Sequence, residues 1–142
     1  MSLAELQEES HDVGLERFTA SDYRPGLVTH IVLFAYAPTT TEEQKSEVAR
    51  RFHSLAESRR NGAPYIVSIT SGAQISGEVA PGGYESGFVV TFESLGDRNF
   101  YVGEPVVTDS AYFDAVHHEF KSFVGPLLRE GPEGVLVFDF VA

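Results

Sequence analysis

The segment GLVTHIVLFAYA, residues 26–37, has the pattern of a β-strand that is apolar on both faces. Successive side chains of a strand point to opposite sides of the sheet. One side carries Val28, His30, Val32, Phe34 and Tyr36, and the other carries Leu27, Ile31, Leu33 and Ala35. A sheet that contains such a strand must be covered on both sides, because large apolar faces are rarely left to water. This requirement restricts the fold more than any other feature of the sequence.

Strand-like alternation predicts four strands, at residues 27–36, 65–75, 84–93 and 134–141. A helix is expected after the first strand, because Thr40 and Glu43 have the spacing of a capping box. The apolar residues that follow recur every three or four positions, as on one face of a helix. This stripe consists of Val48, Ala49, Phe52, Leu55 and Ala56, and NGAP at residues 61–64 ends it. A loop is expected at GEVAPGG, residues 77–83.

A second helical region is predicted between the third and fourth strands. The segment SLGDRNFYVGEP, residues 94–105, is typical of a short helix that ends before Pro105. Asp109 is expected to cap a further helix, and Pro126 is expected to shorten the last turn of that helix. The apolar stripe predicted for it consists of Phe113, Val116, Phe120, Phe123, Val124 and Leu127.

The order of these elements is βαββαβ, which predicts an α+β, ferredoxin-like subunit with a four-stranded antiparallel sheet. The helices of such a subunit cover only one face of the sheet. The simplest cover for the second apolar face is the same sheet of another copy, which gives a two-fold dimer. The sequence therefore predicts a homodimer in which the two sheets cover each other, and light scattering would test it.

Residues 1–26, which we call the N-terminal arm, precede this pattern and end at the turn signal RPG. The arm carries six acidic residues, namely Glu5, Glu8, Glu9, Asp12, Glu16 and Asp22. A short helix is expected near residues 3–9, and the domain is expected to span residues 27–142. Two interpretations of the arm stay open: a solvated extension outside the core, or a segment that lies over a partner subunit or the mouth of a pocket.

Composition excludes several functional classes. The chain has 142 residues and a formal net charge of −11, with 10 basic and 21 acidic residues, and such a field repels phosphates and anionic lipids. We therefore expect neither nucleic acid nor a membrane as a partner. The chain has no cysteine, which excludes disulfides and thiol chemistry. The sequence shows neither a signal peptide nor a run long enough to span a bilayer, so a cytoplasmic location is expected.

Metals and nucleotide cofactors are not expected either. None of the five histidines has the i, i+4 or strand-alternating spacing of metal ligands, and His117 and His118 are adjacent. On a helix, His118 would lie on the outer face and His117 near the apolar stripe. The glycines do not lead from a strand into a capped helix with phosphate-binding spacing, so the sequence predicts no cofactor.

Four motifs together resemble one known family. They are VTHIVLF, GYESGFVVTFES, YVGEPVV and VLVFDF, at residues 28–34, 83–94, 101–107 and 135–140. In this order and spacing they are similar to the stress-responsive dimeric α/β-barrel (Dabb) family over residues 27–142. The resemblance implies a ferredoxin-like subunit that dimerises into a barrel with its helices outside. Many members have no assigned reaction, whereas others are enzymes, including a distantly similar plant polyketide cyclase, olivetolic acid cyclase.

The resemblance also implies site residues. The cyclase pattern has a histidine on the first strand, a tyrosine on the short helix and a histidine two residues after the proline. The first two fall on His30 and Tyr101, whereas the third falls on Val107, so the full cyclase constellation is absent. The residues expected to line an apolar ligand pocket are Phe34, Phe52, Val107 and Phe120.

Three hypotheses about function follow. The first is a stress-responsive homodimer with a small apolar ligand and no assigned reaction. The second is a cofactor-independent, polyketide cyclase-like enzyme, in which His30 exchanges protons near neutral pH and Tyr101 donates a hydrogen bond. The third is a structural protein whose dimers assemble into rings. In a purely structural role, His30 would be a buried imidazole that needs a hydrogen-bond partner, and Tyr101 is the candidate. Asp139, in the last strand, is expected at a solvent-facing edge or beside an arginine.

Overall fold

A computed structural model describes residues 1–78 and 82–142 of the chain. Its elements are α1 (Leu3–Val13), α2 (Leu15–Phe18), β1 (Pro25–Phe34), α3 (Glu42–Ser54), β2 (Arg59–Arg60), β3 (Ala63–Pro64), β4 (Ile66–Ala73), β5 (Ser86–Ser94), α4 (Leu95–Val102), α5 (Ala115–Val124) and β6 (Val135–Val141). Short 3-10 turns lie at Leu55–Glu57, Ser110–Tyr112 and Gly125–Leu127. The loop predicted at residues 77–83 contains Val79, Ala80 and Pro81, which lie outside the described residues.

The sheet has the strand order β4-β5-β1-β6, and all of its neighbouring strands are antiparallel. The first and last strands of the domain therefore lie side by side, and α3, α4 and α5 lie in the connections between strands. This arrangement confirms the predicted α+β, ferredoxin-like fold. The four predicted strands are present as β1, β4, β5 and β6, with ends that differ by at most two residues.

The helix caps differ in detail from the prediction. The capping box of α3 is formed by Thr41 and Gln44, one residue later than predicted. Asp109 caps the short turn at Ser110–Tyr112 and not α5. The N-cap of α5 is Asp114, whose carboxylate accepts hydrogen bonds from two backbone N–H groups of the first turn. The helix ends before Pro126, as predicted, because proline cannot continue the backbone hydrogen bonds of a helix.

The main hydrophobic core lies between the helices and one face of the sheet. Phe52 of α3 stacks on Phe88 of β5 with ring centroids 4.0 Å apart, and Phe34 and Phe120 pack on Phe52 with their ring edges. His30 is also on this face and is only 5% exposed. Alternation along β1 thus places a histidine in an aromatic core, which is the setting predicted for it.

The opposite face of the sheet is apolar and exposed. Leu27 of β1 is exposed, and on β6 Leu136, Phe138 and Phe140 are exposed, with Phe138 60% accessible. The register places Ile31 beside Phe138 on this face and His30 beside Asp139 on the other. A single copy of the chain therefore leaves uncovered the second apolar face that was recognised in the sequence.

The N-terminal arm contains α1 and α2 and packs against the domain. Phe18 of α2 is 1% exposed and forms a second hydrophobic cluster with Tyr23 and Val107. A solvated extension would leave Phe18 in water, so that interpretation of the arm is wrong for this segment. Its helix is also longer than predicted, since α1 runs from Leu3 to Val13.

Candidate functional site

A cavity of about 500 Å³ lies between the sheet and the helices α4 and α5. Its floor is formed by β1 and β6, and its walls come from α3, α4, α5 and the N-terminal arm. The predicted site residues that line it are His30, Tyr101, Phe34, Phe52 and Phe120. Aromatic side chains from three different elements thus converge with the two residues that the family resemblance implied.

Val107, the fourth residue predicted for the pocket, does not line the cavity. It is completely buried in the second cluster with Phe18 and Tyr23, whereas its neighbour Val106 lines the cavity. The prediction failed because the arm, which no motif placed, packs over this position. Val107 therefore belongs to the surface on which the arm packs and lies outside the cavity wall.

His30 is paired with Asp139 across neighbouring strands. The register of β1 and β6 places the two residues opposite each other, and His30 Nδ1 lies 2.6 Å from Asp139 Oδ1. The other carboxylate oxygen, Oδ2, accepts a hydrogen bond of 2.8 Å from Arg98 of α4. The sequence predicted Tyr101 as the partner of His30, but the partner is Asp139. Asp139 lies beside an arginine, which was one of the two settings expected for it.

The charge state of Asp139 fixes the role of each ring nitrogen of His30. Burial alone would raise the pKa of Asp139, but hydrogen bonds and charge from His30 and Arg98 outweigh burial and hold that pKa below its ordinary value. An ionised carboxylate only accepts, so Nδ1 of His30 carries the proton that it shares with Asp139. Nε2 is the ring nitrogen that is left to meet a molecule in the cavity.

Tyr101 has a buried hydroxyl without a partner. Its side chain is 1% exposed, and its oxygen has no hydrogen bond to any part of the chain that the structure describes. Its ring meets His30 edge-on at a centroid distance of 5.6 Å. Burial, followed by the charges of Asp114 and Asp139, raises the pKa of Tyr101, which therefore stays protonated. An unpaired buried hydroxyl costs about 1–3 kcal/mol, and such costs are often found at functional sites.

His117 lines the cavity, although no motif in the sequence marks it as a site residue. Its ring stacks on Tyr101 at a centroid distance of 3.8 Å, and its Nδ1 donates a hydrogen bond of 2.5 Å to the backbone carbonyl of Tyr101. Burial lowers the pKa of His117 to about 3, and the nearby charge of Lys121 acts in the same direction. The imidazole is therefore neutral at physiological pH, with Nε2 as an acceptor.

A signal for His117 was present in the sequence. His117, Phe120 and Val124 share the spacing of one helical face and are buried, whereas Val116, which was predicted in the stripe, is 51% exposed. The predicted stripe combined residues from two different faces of the helix, because the helix was expected to start at Asp109. A start at Asp114 places His117 in the first turn, on the side that faces the sheet.

Lys121 connects the two helices that border the cavity. Its ammonium group donates to the backbone carbonyls of Val102 and Glu104, at 2.5 and 3.0 Å, just where α4 ends. A cation at this position satisfies carbonyl groups that the end of a helix leaves free. Burial lowers the pKa of Lys121. Its side chain lines the cavity one helical turn after His117.

The cavity reaches the surface at β6. Because β6 is an edge strand of the sheet, Val135 and Val137 are 39% and 53% exposed, and both of them also line the cavity. Within residues 1–78 and 82–142, no group of three or more His, Cys, Asp or Glu side chains is placed to hold a metal ion. None of the helices in those ranges is both long and apolar enough to cross a bilayer.

Comparison with known proteins gives a family match over most of the chain. A family model described as Stress responsive A/B Barrel Domain matches residues 28–142. This range contains most of β1, all of β2 to β6, the helices α3, α4 and α5, and His30, Tyr101 and Asp139. No curated protein matches the sequence significantly.

Several solved structures share the fold. A protein from Arabidopsis thaliana has 25% sequence identity and a TM-score of 0.60, with 81% of this chain and 94% of that chain covered. A dimeric ferredoxin-like protein of unknown function from Jannaschia sp. CCS1 has 20% identity and a TM-score of 0.61, with 82% and 100% covered. Hydroxynitrile lyase from Passiflora edulis has 21% identity and a TM-score of 0.59, with 83% and 94% covered.

Proposed function

Because the chain belongs to the stress responsive A/B barrel domain family, we propose that it binds a small, mainly apolar molecule in its cavity and exchanges a proton with it through His30. The observation that carries this proposal is the pairing of His30 with Asp139 in the wall of an otherwise mainly apolar cavity. Membership of this family does not by itself identify a reaction. The proposal therefore names a type of chemistry and not a substrate.

The cavity has the properties of a small-molecule site. Such sites commonly have volumes of about 300–1,000 Å³ and combine apolar walls with a few convergent polar groups. Here the volume is about 500 Å³, and Phe34, Phe52 and Phe120 supply aromatic surface. The polar groups that line it include His30, Tyr101 and His117, whose rings pack in sequence on one another. A ligand with one oxygen-bearing end and one apolar body matches this division.

Proton exchange is supported by the arrangement around His30. Arg98 holds Asp139 in place, and Asp139 in turn orients the imidazole and fixes which nitrogen carries the proton. A carboxylate that orients a histidine in this way prepares Nε2 to accept a proton from a bound molecule. We assign Tyr101 the role of hydrogen-bond donor to an oxygen of the ligand. This chemistry needs no cofactor.

Two more specific functions can be compared with this proposal. A similar structure is named a hydroxynitrile lyase, so the fold supports an enzyme in that protein. For this chain, cyclase-like chemistry would have to rely on His30 and Tyr101, with His117 in place of the family's third group. Assembly of dimers into rings has no supporting observation in the geometry of the site.

A homodimer and a cytoplasmic location complete the proposal. The exposed apolar face of β1 and β6 supports dimerisation, and three of the similar structures are described as dimeric. A second copy would cover that face while the helices stay outside. The cytoplasmic location is proposed on the sequence alone, and fractionation of the source cells would test it.

Native mass spectrometry against a small-molecule library would identify ligands, and turnover would then be measured for each one. His30→Gln should retain the fold and ligand binding but lose turnover by about a hundredfold or more, the usual contribution of a general base. The matched control is His53→Gln, on the exposed side of α3. Equal turnover in the wild type and His30→Gln would show that His30 is not the proton acceptor.

A further inference from the structure

The N-terminal arm contributes to the cavity although it precedes the part of the chain that matches the family. The match begins at residue 28, whereas Leu6 of α1 and Phe18 of α2 both line the cavity. Phe18 also belongs to the buried cluster that contains Val107. The same side chain thus anchors the arm and forms part of the surface that a ligand would meet.

Hydrogen bonds fasten the arm to the helix that carries Tyr101. The side-chain amide of Asn99 donates to the backbone carbonyl of Phe18 at 2.9 Å. Arg60 donates to the carbonyl of Thr19 at 2.7 Å and forms an ion pair of 2.8 Å with Asp97. Asn99 and Asp97 both belong to α4. The arm and the site helix are therefore held together by buried polar contacts.

The domain is also shaped to receive the arm. A Cβ atom on Gly96 of α4 would lie 1.7 Å from the backbone oxygen of Ala20, so only glycine permits this approach. The backbone N–H of Gly96 donates to the carbonyl of Tyr23 at 3.0 Å. Since the close contact is between two backbones, neither segment can shift without breaking it. The arm therefore packs on the domain in one defined position.

The position of α1 depends on Glu9. Its carboxylate accepts a hydrogen bond from the hydroxyl of Tyr23 and forms an ion pair of 2.8 Å with Arg24. This contact holds α1 against the end of the arm, and the half-buried Leu6 of α1 lines the cavity. Leu3, on the same helix, is 47% exposed and does not line the cavity.

We propose that the N-terminal arm is a wall of the ligand site and that Leu6 and Phe18 set the length of the ligand that the cavity accepts. The inference rests on the proposed function, since it needs a ligand in the cavity. Selection by length follows from packing, because an apolar wall that is moved inward by one larger side chain excludes the longest members of a ligand series first. A smaller side chain admits them.

The test uses a series of 4-alkylphenols, from methyl to octyl, which displace the fluorescent probe N-phenyl-1-naphthylamine from the full-length protein. Leu6→Trp should weaken the longest phenols about tenfold, a change that corresponds to the usual cost of overpacking, and should leave the shortest ones nearly unaffected. Leu6→Ala should shift the preference toward longer chains. Leu3→Trp is the matched control and should behave like the wild type.

The outcomes separate this inference from the proposed function. If the wild type binds the series and the Leu6 variants have the same length profile as Leu3→Trp, the arm does not select ligands and only this inference is overturned. If the wild type binds neither the probe nor any phenol, the apolar ligand site itself is contradicted, and both proposals are overturned. Opposite shifts in Leu6→Trp and Leu6→Ala support the arm as a wall.

Discussion

His30 and Asp139 face each other across β1 and β6, with 2.6 Å between Nδ1 and Oδ1. The two residues are 109 positions apart in the chain, so the pair exists only because the first and last strands of the domain are neighbours. The other side of the carboxylate is bound by Arg98. This pair, together with Tyr101 and His117, forms the polar part of a cavity that is otherwise mainly apolar.

Tyr101→Phe separates the two possible roles of the buried hydroxyl. Removal of an unpaired hydroxyl should leave the free energy of unfolding unchanged or raise it by about 1 kcal/mol, because the group loses its hydration in the folded state and gains no partner there. The same variant should reduce turnover if the hydroxyl serves the ligand. Urea unfolding and a turnover assay would measure the two effects.

The matched control is Tyr65→Phe. The hydroxyl of Tyr65 donates to Asp114, so its removal should lower the free energy of unfolding by about 1–3 kcal/mol. If Tyr101→Phe were as destabilising as Tyr65→Phe, the hydroxyl of Tyr101 would have a structural partner in solution.

His117 makes stability depend on pH. Because its pKa is lowered from 6.5 to about 3, the unfolded chain binds a proton below pH 6.5 that the folded chain does not bind until about pH 3. The free energy of unfolding should therefore decrease as the pH is lowered from 6.5 to about 3, by up to about 1.4 kcal/mol per pH unit. Above pH 6.5 His117 is neutral in both the folded and the unfolded chain, so none of this stability is lost there.

Urea unfolding of His117→Phe between pH 7 and pH 4 would check this dependence. The slope of the free energy of unfolding against pH should be smaller in His117→Phe than in the wild type. His53→Phe, at an exposed position on α3, is the control for replacing a histidine outside the cavity. Identical slopes in all three proteins would mean that His117 is not held neutral.

Much of the fold was predictable from local patterns. Alternation placed the four long strands, and the apolar stripe around Phe52 placed α3. The hairpin of β2 and β3 was missed, although NGAP at residues 61–64 was recognised as an end signal. Asn61 and Gly62 there have positive φ angles of 50° and 80°, as a two-residue hairpin turn requires.

The site was less predictable, because its contacts join distant segments. The alternation of β1 and β6 identifies the face of each residue but not their register, so Asp139 was not recognised as the partner of His30. His117 was missed because the helix start was placed five residues too early, at Asp109 and not at Asp114. Val107 was wrongly predicted to line the pocket, because no motif in the sequence marks the surface on which the arm packs.

Gly96→Ala should release the N-terminal arm from the domain. The added methyl group would meet the backbone oxygen of Ala20 at 1.7 Å, which no side-chain rearrangement can relieve. Limited proteolysis and hydrogen exchange should then show faster cleavage and exchange in residues 1–26 than in the wild type. Gly77→Ala is the control, since a Cβ there meets no atom of residues 1–78 and 82–142 within 4 Å. Equal protection of the arm in both variants would contradict its seat on α4.

Phe138→Glu should break the proposed homodimer. Phe138 is 60% exposed on the uncovered face, and a buried carboxylate without a partner is strongly unfavourable in an interface. Light scattering should show a dimer for the wild type and a monomer for Phe138→Glu. The control Ile75→Glu changes an apolar residue that is 95% exposed and lies outside the sheet. A wild-type monomer at micromolar concentration would contradict the dimer.

Nitrogen-15 NMR of the labelled imidazole rings tests the central claim most directly, because it reports the protonation of each ring nitrogen of His30 with and without a bound ligand. We predict that Nδ1 of His30 carries a proton in both states and that ligand binding shifts the Nε2 signal of His30. The His53 signals should stay unchanged. An unprotonated Nδ1, or a ligand that leaves both nitrogens of His30 unaffected, would contradict the assignment of His30 as the proton acceptor of the site.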